Sequence, residues 1–90
     1  MKYYVYVLKS QKDNNLYIGI TSNLKRRILE HNQGKNKSTR YRKPFELIYF
    51  ETFDNKHQAY QQEWRFKNTS DGNKEMRQNA KLAKMVTARD

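Results

Sequence analysis

Ninety residues with 19 Lys and Arg against 9 Asp and Glu, a formal charge of +10 and no cysteine describe one small basic domain. Disulfides and thiolate zinc sites are excluded, no apolar run approaches the roughly 20 residues of a membrane span, and the N-terminus carries no signal-peptide apolar stretch. The chain is therefore read as intracellular and cytoplasmic, and its positive excess favours polyanionic partners, nucleic acid first and an anionic membrane second.

Residues 3–8 are tyrosine, valine and leucine and predict a strand covered on both faces. Lys12, Asp13, Asn14 and Asn15 form a turn, because Asp and Asn tolerate positive φ and bond their own backbone. Residues 16–20 predict a second strand, antiparallel to the first. Gly19 inside it signals a bulge or the close approach of another group. Thr21, Ser22 and Asn23 are helix-capping residues, and a helix should run over 24–33 and stop at Gly34. On it Leu24 and Ile28 share one face, while Arg27 and His31 share another with the same spacing. The expectation is that the aliphatic face is buried and that Arg27 and His31 point together elsewhere.

A basic loop follows over 34–44, carrying Lys35, Lys37, Arg40, Arg42 and Lys43. Residues 45–53 alternate loosely and predict a third strand. Asp54 and Asn55 cap a second helix over 56–68, 69–73 is a loop, and 74–88 is a third helix with Met76, Ala80, Ala83 and Val86 as its apolar stripe. Asp90 and its neighbours should fray. The expected architecture is an α+β domain of three mostly antiparallel strands flanked by helices. With 7 Tyr, 4 Phe and 1 Trp, its core is largely aromatic.

Four features stand in a telling order: Tyr4-Val5-Tyr6, then Tyr17-Ile18-Gly19, then Arg27 on a helix, then Glu63 on a later helix. This set resembles the GIY-YIG nuclease superfamily, and looks closest to small standalone members related to the nuclease domain of bacterial excision-repair enzymes. The resemblance covers residues 2–67. The second motif is intact. The first departs from the family pattern, with Tyr4 where glycine would stand, but it keeps Tyr6.

The resemblance implies metal-dependent hydrolysis of DNA phosphodiesters, selective for DNA structure such as branches or flaps more than for sequence, in repair or recombination. Glu63 becomes the ligand of a Mg²⁺ or Mn²⁺ ion, which binds through one or two carboxylates and keeps most of its waters. Arg27 becomes the holder of a non-bridging phosphoryl oxygen through its fixed fork of donors. Arg26, about 100° further around the helix, is its solvated neighbour. Tyr6 or Tyr17 would activate or position water, although a free phenol with a pKa of about 10 is a poor base at neutral pH.

His31, one turn after Arg27, has three readings: it orients a tyrosine hydroxyl, touches phosphate, or caps its helix. His57 has no motif partner and is read as a surface residue. Lys35, Lys37, Arg40, Arg42 and Lys43 would track a nucleic-acid backbone, with Tyr41 stacking on a base and Ser38 and Thr39 adding phosphate contacts. Trp64 is expected to pack its helix on the sheet and so aim Glu63. The rivals are a nucleic-acid-binding module without catalysis and an interaction domain using the sheet as scaffold. RNA as the nucleic acid and a homodimer rather than a monomer are both left open.

Overall fold

A computed structural model describes the backbone of residues 1–88 and the side chains of residues 1–82. The elements run β1 (Tyr3–Ser10), β2 (Leu16–Thr21), α1 (Leu24–Asn32), a single 3₁₀ turn (Arg40–Arg42), β3 (Phe45–Phe53), α2 (Lys56–Asn68) and α3 (Ser70–Ala88). The three strands form one antiparallel sheet in the order β2-β1-β3.

β1 is the central strand, and its alternation sorts the core into two layers. Val5 and Val7 face Ala59 and Phe66 of α2 and Met76 of α3. Tyr6 and Leu8 face the other way, against Leu24 and Ile28 of α1. This is the two-sided burial that the apolar run of 3–8 predicts. The loose alternation of β3 has a local cause. Val7 pairs with Tyr49 and Leu8 pairs with Leu47, so Ile48 is an extra residue, a β-bulge. The bulge exchanges faces: Phe45 and Leu47 join the α1 layer, while Tyr49 and Phe53 join the α2–α3 layer.

Local chemistry sets the element ends. Asn14 turns the β1–β2 connection with φ 61°, and Asp13 accepts from the Asn15 amide at 2.9 Å. Asn23 caps α1 by accepting from the Arg26 amide at 3.0 Å, and Gly34 follows its end with φ 76°. Asn55 caps α2, accepting from the His57 and Gln58 amides.

The α2–α3 junction and Trp64 differ from expectation. The predicted loop over 69–73 is a single residue, Thr69, and α3 begins at Ser70 rather than at 74. The Thr69 hydroxyl accepts from the Gly72 amide at 2.9 Å and donates to the Arg65 carbonyl at 2.8 Å, so one side chain ends α2 and starts α3. A Cβ on Gly72 would collide with the Arg65 carbonyl, so glycine in this helix marks a close crossing rather than a loop.

The second correction concerns Trp64, which does not pack on the sheet and is 60% exposed. Ala59 and Phe66 set the rotation of α2, and Trp64 lies about 140° around the helix from Ala59. In α3, Met76 and Ala80 are buried as expected, while the side chains of Ala83 and Val86, and all of Asp90, lie outside the described residues.

Candidate active site

β1 and β2 place Tyr6 opposite Gly19. The Tyr6 ring lies across that glycine, and a Cβ at position 19 would overlap its hydroxyl. Gly19 therefore supplies the close approach that its place inside a strand suggests. The space allows the Tyr6 phenol to reach over the edge strand β2 toward α1. Gly19→Ala is expected to displace the ring and lower stability by about 1–3 kcal/mol. Urea unfolding measures this; an unchanged midpoint would mean that the ring relocates freely.

α1 brings two residues to this point. His31 is fully buried and its Nε2 lies 3.0 Å from the Tyr6 hydroxyl. Its Nδ1 lies 2.9 Å from the hydroxyl of Thr39, which is also buried. The Tyr17 and Phe45 rings pack edge-on to the imidazole at 4.9 and 5.8 Å between centroids. His31 thus joins Leu24 and Ile28 on the buried side of α1, at i, i+4 and i+7, rather than pointing away from them. Its place beside a tyrosine hydroxyl is the contact that the first of its three readings needs. His31 and Tyr6 are both buried, at 0% and 1% exposed.

Arg27 is half-buried one turn earlier. It donates to Glu30 Oε1 at 3.2 Å, and its charge acts on the Tyr6 hydroxyl. Glu63 comes from α2, and its charge is felt at Tyr6. Its side chain is only 17% exposed and pairs with Lys67 at 3.3 Å.

Burial pushes the Tyr6 phenol up to about 12, with the charges of Tyr17 and Glu63 adding to the rise. Arg27 opposes this by hydrogen bond and charge. Burial takes the His31 imidazole down to about 4, the Arg27 charge adding to the fall and Glu30 opposing it. Both groups are therefore neutral at pH 7. A neutral imidazole has one donor and one acceptor nitrogen. In the tautomer that lets the Tyr6 hydroxyl donate to Nε2, Nδ1–H donates to Thr39.

Among the described residues no group of three or more His, Cys, Asp or Glu could hold a metal ion. A zinc-type cage is thereby absent from them. Glu63 alone is a donor set that suits a hydrated Mg²⁺ or Mn²⁺, which needs few protein ligands.

The loop cations differ in their surroundings. Lys35, Lys37, Arg40 and Lys43 are exposed, and the Arg40 guanidinium lies 4.8 Å from the Tyr41 ring centre. Arg42 is placed differently from its expected role. It pairs with Asp13 at 2.9 Å, donates to the Leu16 carbonyl and lies over Phe45, so it ties the β1–β2 turn to β3. Thr39 is likewise a support for His31 rather than a phosphate contact. Asn32, which no motif marks, accepts from the Phe45 amide at 2.6 Å and donates to the Phe45 carbonyl at 3.2 Å, locking the end of α1 to β3. His57 is exposed on α2, as expected, beside Gln61.

A β2-β1-β3 sheet that gathers two tyrosines with an arginine and a histidine of the first helix, and a glutamate from the second, is the arrangement of a known class. The family model described as "GIY-YIG catalytic domain" matches residues 2–77, and the chain belongs to this family of nucleases. Membership in a nuclease family implies nucleic-acid binding.

Similar chains are small proteins of one group. A UPF0213 protein of Bacillus pumilus is 52% identical over 66 residues, which cover 72% of this chain and 66% of that one. A UPF0213 protein of Pediococcus pentosaceus is 50% identical over 66 residues, 72% of this chain and 68% of that one. The matched segment thus spans about two thirds of the length of these curated relatives. The solution NMR structure of a UPF0213 protein from Bacillus halodurans matches with a TM-score of 0.53 at 39% identity, covering 84% of this chain and 81% of that one. No helix among the described residues is long and apolar enough to cross a membrane.

Proposed function

We propose that the protein is a metal-dependent endonuclease that hydrolyses DNA phosphodiester bonds and selects DNA structure, such as flaps and branches, over sequence. Repair and recombination intermediates are the corresponding substrate class. The observation that carries this reading is the convergence of Tyr6, Tyr17, Arg27 and His31 at the β2 edge, within electrostatic reach of Glu63.

In hydrolysis a water oxygen bonds to phosphorus while the bond from phosphorus to the 3′ oxygen breaks. Arg27 holds a non-bridging oxygen and offsets the charge that grows there. Its charge acts on the Tyr6 phenol, so a phosphate bound there would lie near that hydroxyl. Tyr6, 1% exposed, would have to open to the attacking water, and would then take its proton while passing its own to His31 Nε2. Thr39, accepting from Nδ1, keeps the imidazole in the receptive tautomer. This route avoids a free phenolate, which a pKa of about 12 makes scarce at pH 7. The negative charge of bound phosphate favours the imidazolium and so eases the transfer. Tyr17 packs on the imidazole and fixes its plane. Glu63 would hold a Mg²⁺ or Mn²⁺ ion, and such an ion supplies positive charge to the departing 3′ oxygen. Lys67 would have to release Glu63 for this to happen.

That same Glu63–Lys67 ion pair supports one alternative, a nucleic-acid-binding module without catalysis, in which Lys67 keeps the carboxylate occupied. Arg27→Ala separates the two. The enzyme reading predicts a folded variant whose nicking of flapped DNA falls about 100-fold or more, as when one transition-state donor is removed. Parent protein that binds DNA but never nicks it, with any divalent ion, would decide for the binding module.

A further inference from the structure

The one tryptophan of the chain is 60% exposed, and Tyr60, one turn before it, is 48% exposed. Residues i and i+4 share a helix face, so α2 shows two large aromatic rings to solvent. Cations flank them. Lys56 Nζ lies 5.7 Å from the Tyr60 ring centre, and Lys67 continues the face beyond Trp64. Glu63 is the only acidic residue in α2, and it lies between the two rings in sequence. The opposite side of the helix is filled by Ala59 and Phe66, so core packing does not account for either ring. The face continues into a shallow pocket of about 210 Å³ where Tyr60 and Lys56 meet Thr21 and Ser22, next to the start of α1.

We propose that Tyr60 and Trp64 form a stacking platform for an unpaired nucleobase beside the phosphate that is cut. Every base offers a π-face to an aromatic ring, and cations beside the ring hold the adjoining phosphates. In a duplex those faces are taken up by neighbouring bases and are reached only by unstacking. The platform therefore selects a flap, a fork or a single strand. The flanking Lys56 and Lys67 match a polyanion better than an apolar protein surface, and two chains of charge +10 repel each other. The inference rests on the nuclease reading for its ligand, and it adds the element that reads the structure of the DNA.

Because Trp64 is the only tryptophan, its emission reports on this face alone. The full chain is titrated in EDTA with a single-stranded oligonucleotide, a flapped duplex and a blunt duplex. Binding is followed separately by the anisotropy of a dye on the DNA. Quenching by the single strand and the flap, and much less by the blunt duplex, is the expected result. Trp64→Ala should weaken single-strand binding about 10-fold, the scale of one base–aromatic stack, and Trp64→Phe should keep most of it. Blunt-duplex binding should not change.

Single-strand binding without quenching, or unaffected by Trp64→Ala, would overturn the platform. So would a concentration-dependent emission shift without DNA, which would mean that a second copy covers the face. If no DNA binds at all, both the platform and the nuclease reading fail. If the platform behaves as described and the parent never cleaves, the nuclease reading fails alone.

Discussion

Tyr6→Phe is expected to stay folded and to lose 10²- to 10⁴-fold in the rate of DNA cleavage, the usual worth of a positioned proton-transfer group. The ring remains, so the packing of Tyr6 against Leu8, Phe45 and α1 is kept. The hydroxyl is lost, and with it the donor 3.0 Å from His31 Nε2. That nitrogen is then buried without a partner, at a cost of about 1–3 kcal/mol in stability. Cleavage measured under single-turnover conditions, with circular dichroism on the same samples, separates the two effects. A folded Phe variant that cuts at the parent rate would remove Tyr6 from the proton path and leave Tyr17 as the remaining tyrosine.

The second large effect is a loss of stability in mild acid. The His31 pKa falls from its ordinary 6.5 to about 4 in the folded chain. Between those values the unfolded chain binds a proton that the folded chain refuses. The stabilising contribution of the neutral imidazole is therefore complete above pH 6.5, declines as pH falls toward 4, and is gone below that. Its full size is about 3 kcal/mol, a large part of what a small domain has. Urea unfolding at pH 7 and pH 4.5 measures the decline, and proton NMR of the His31 ring assigns it. An imidazole that titrates near 6.5 in the folded protein would contradict both the burial and the tautomer on which the relay depends.

Much of the scaffold can be read from local chemistry. The apolar run of β1, the Asp–Asn turn, the Asn23 and Asn55 caps and the stop at Gly34 each have a short-range cause, and the elements fall where those causes put them. Gly19 is legible too, as a close approach, although the sequence does not say that Tyr6 is the group approaching. What escapes is whatever depends on contacts distant in sequence. Thr39 supports His31 only because the loop folds back under α1, and nothing in an eight-residue spacing announces that. The face on which His31 lies turns on the same packing.

The exposure of Trp64 follows from α2 rotating to bury Ala59 and Phe66, a choice between two apolar sets that the helical period leaves undecided. Gly72 inside a helix reads as a loop because the neighbouring carbonyl of Arg65, which makes glycine necessary, is brought there by the crossing of α2 and α3. The bulge at Ile48 has no signal beyond the imperfect alternation it causes.

The most direct test of the central claim compares the parent chain with Glu63→Gln on flapped and plain duplex DNA at low salt, with Mg²⁺, with Mn²⁺ and with EDTA. Nicking is expected to need the metal, to favour the flap, and to fall to background in the Gln variant, which should still bind DNA. Metal-independent nicking, or equal cutting by the two proteins, would contradict it.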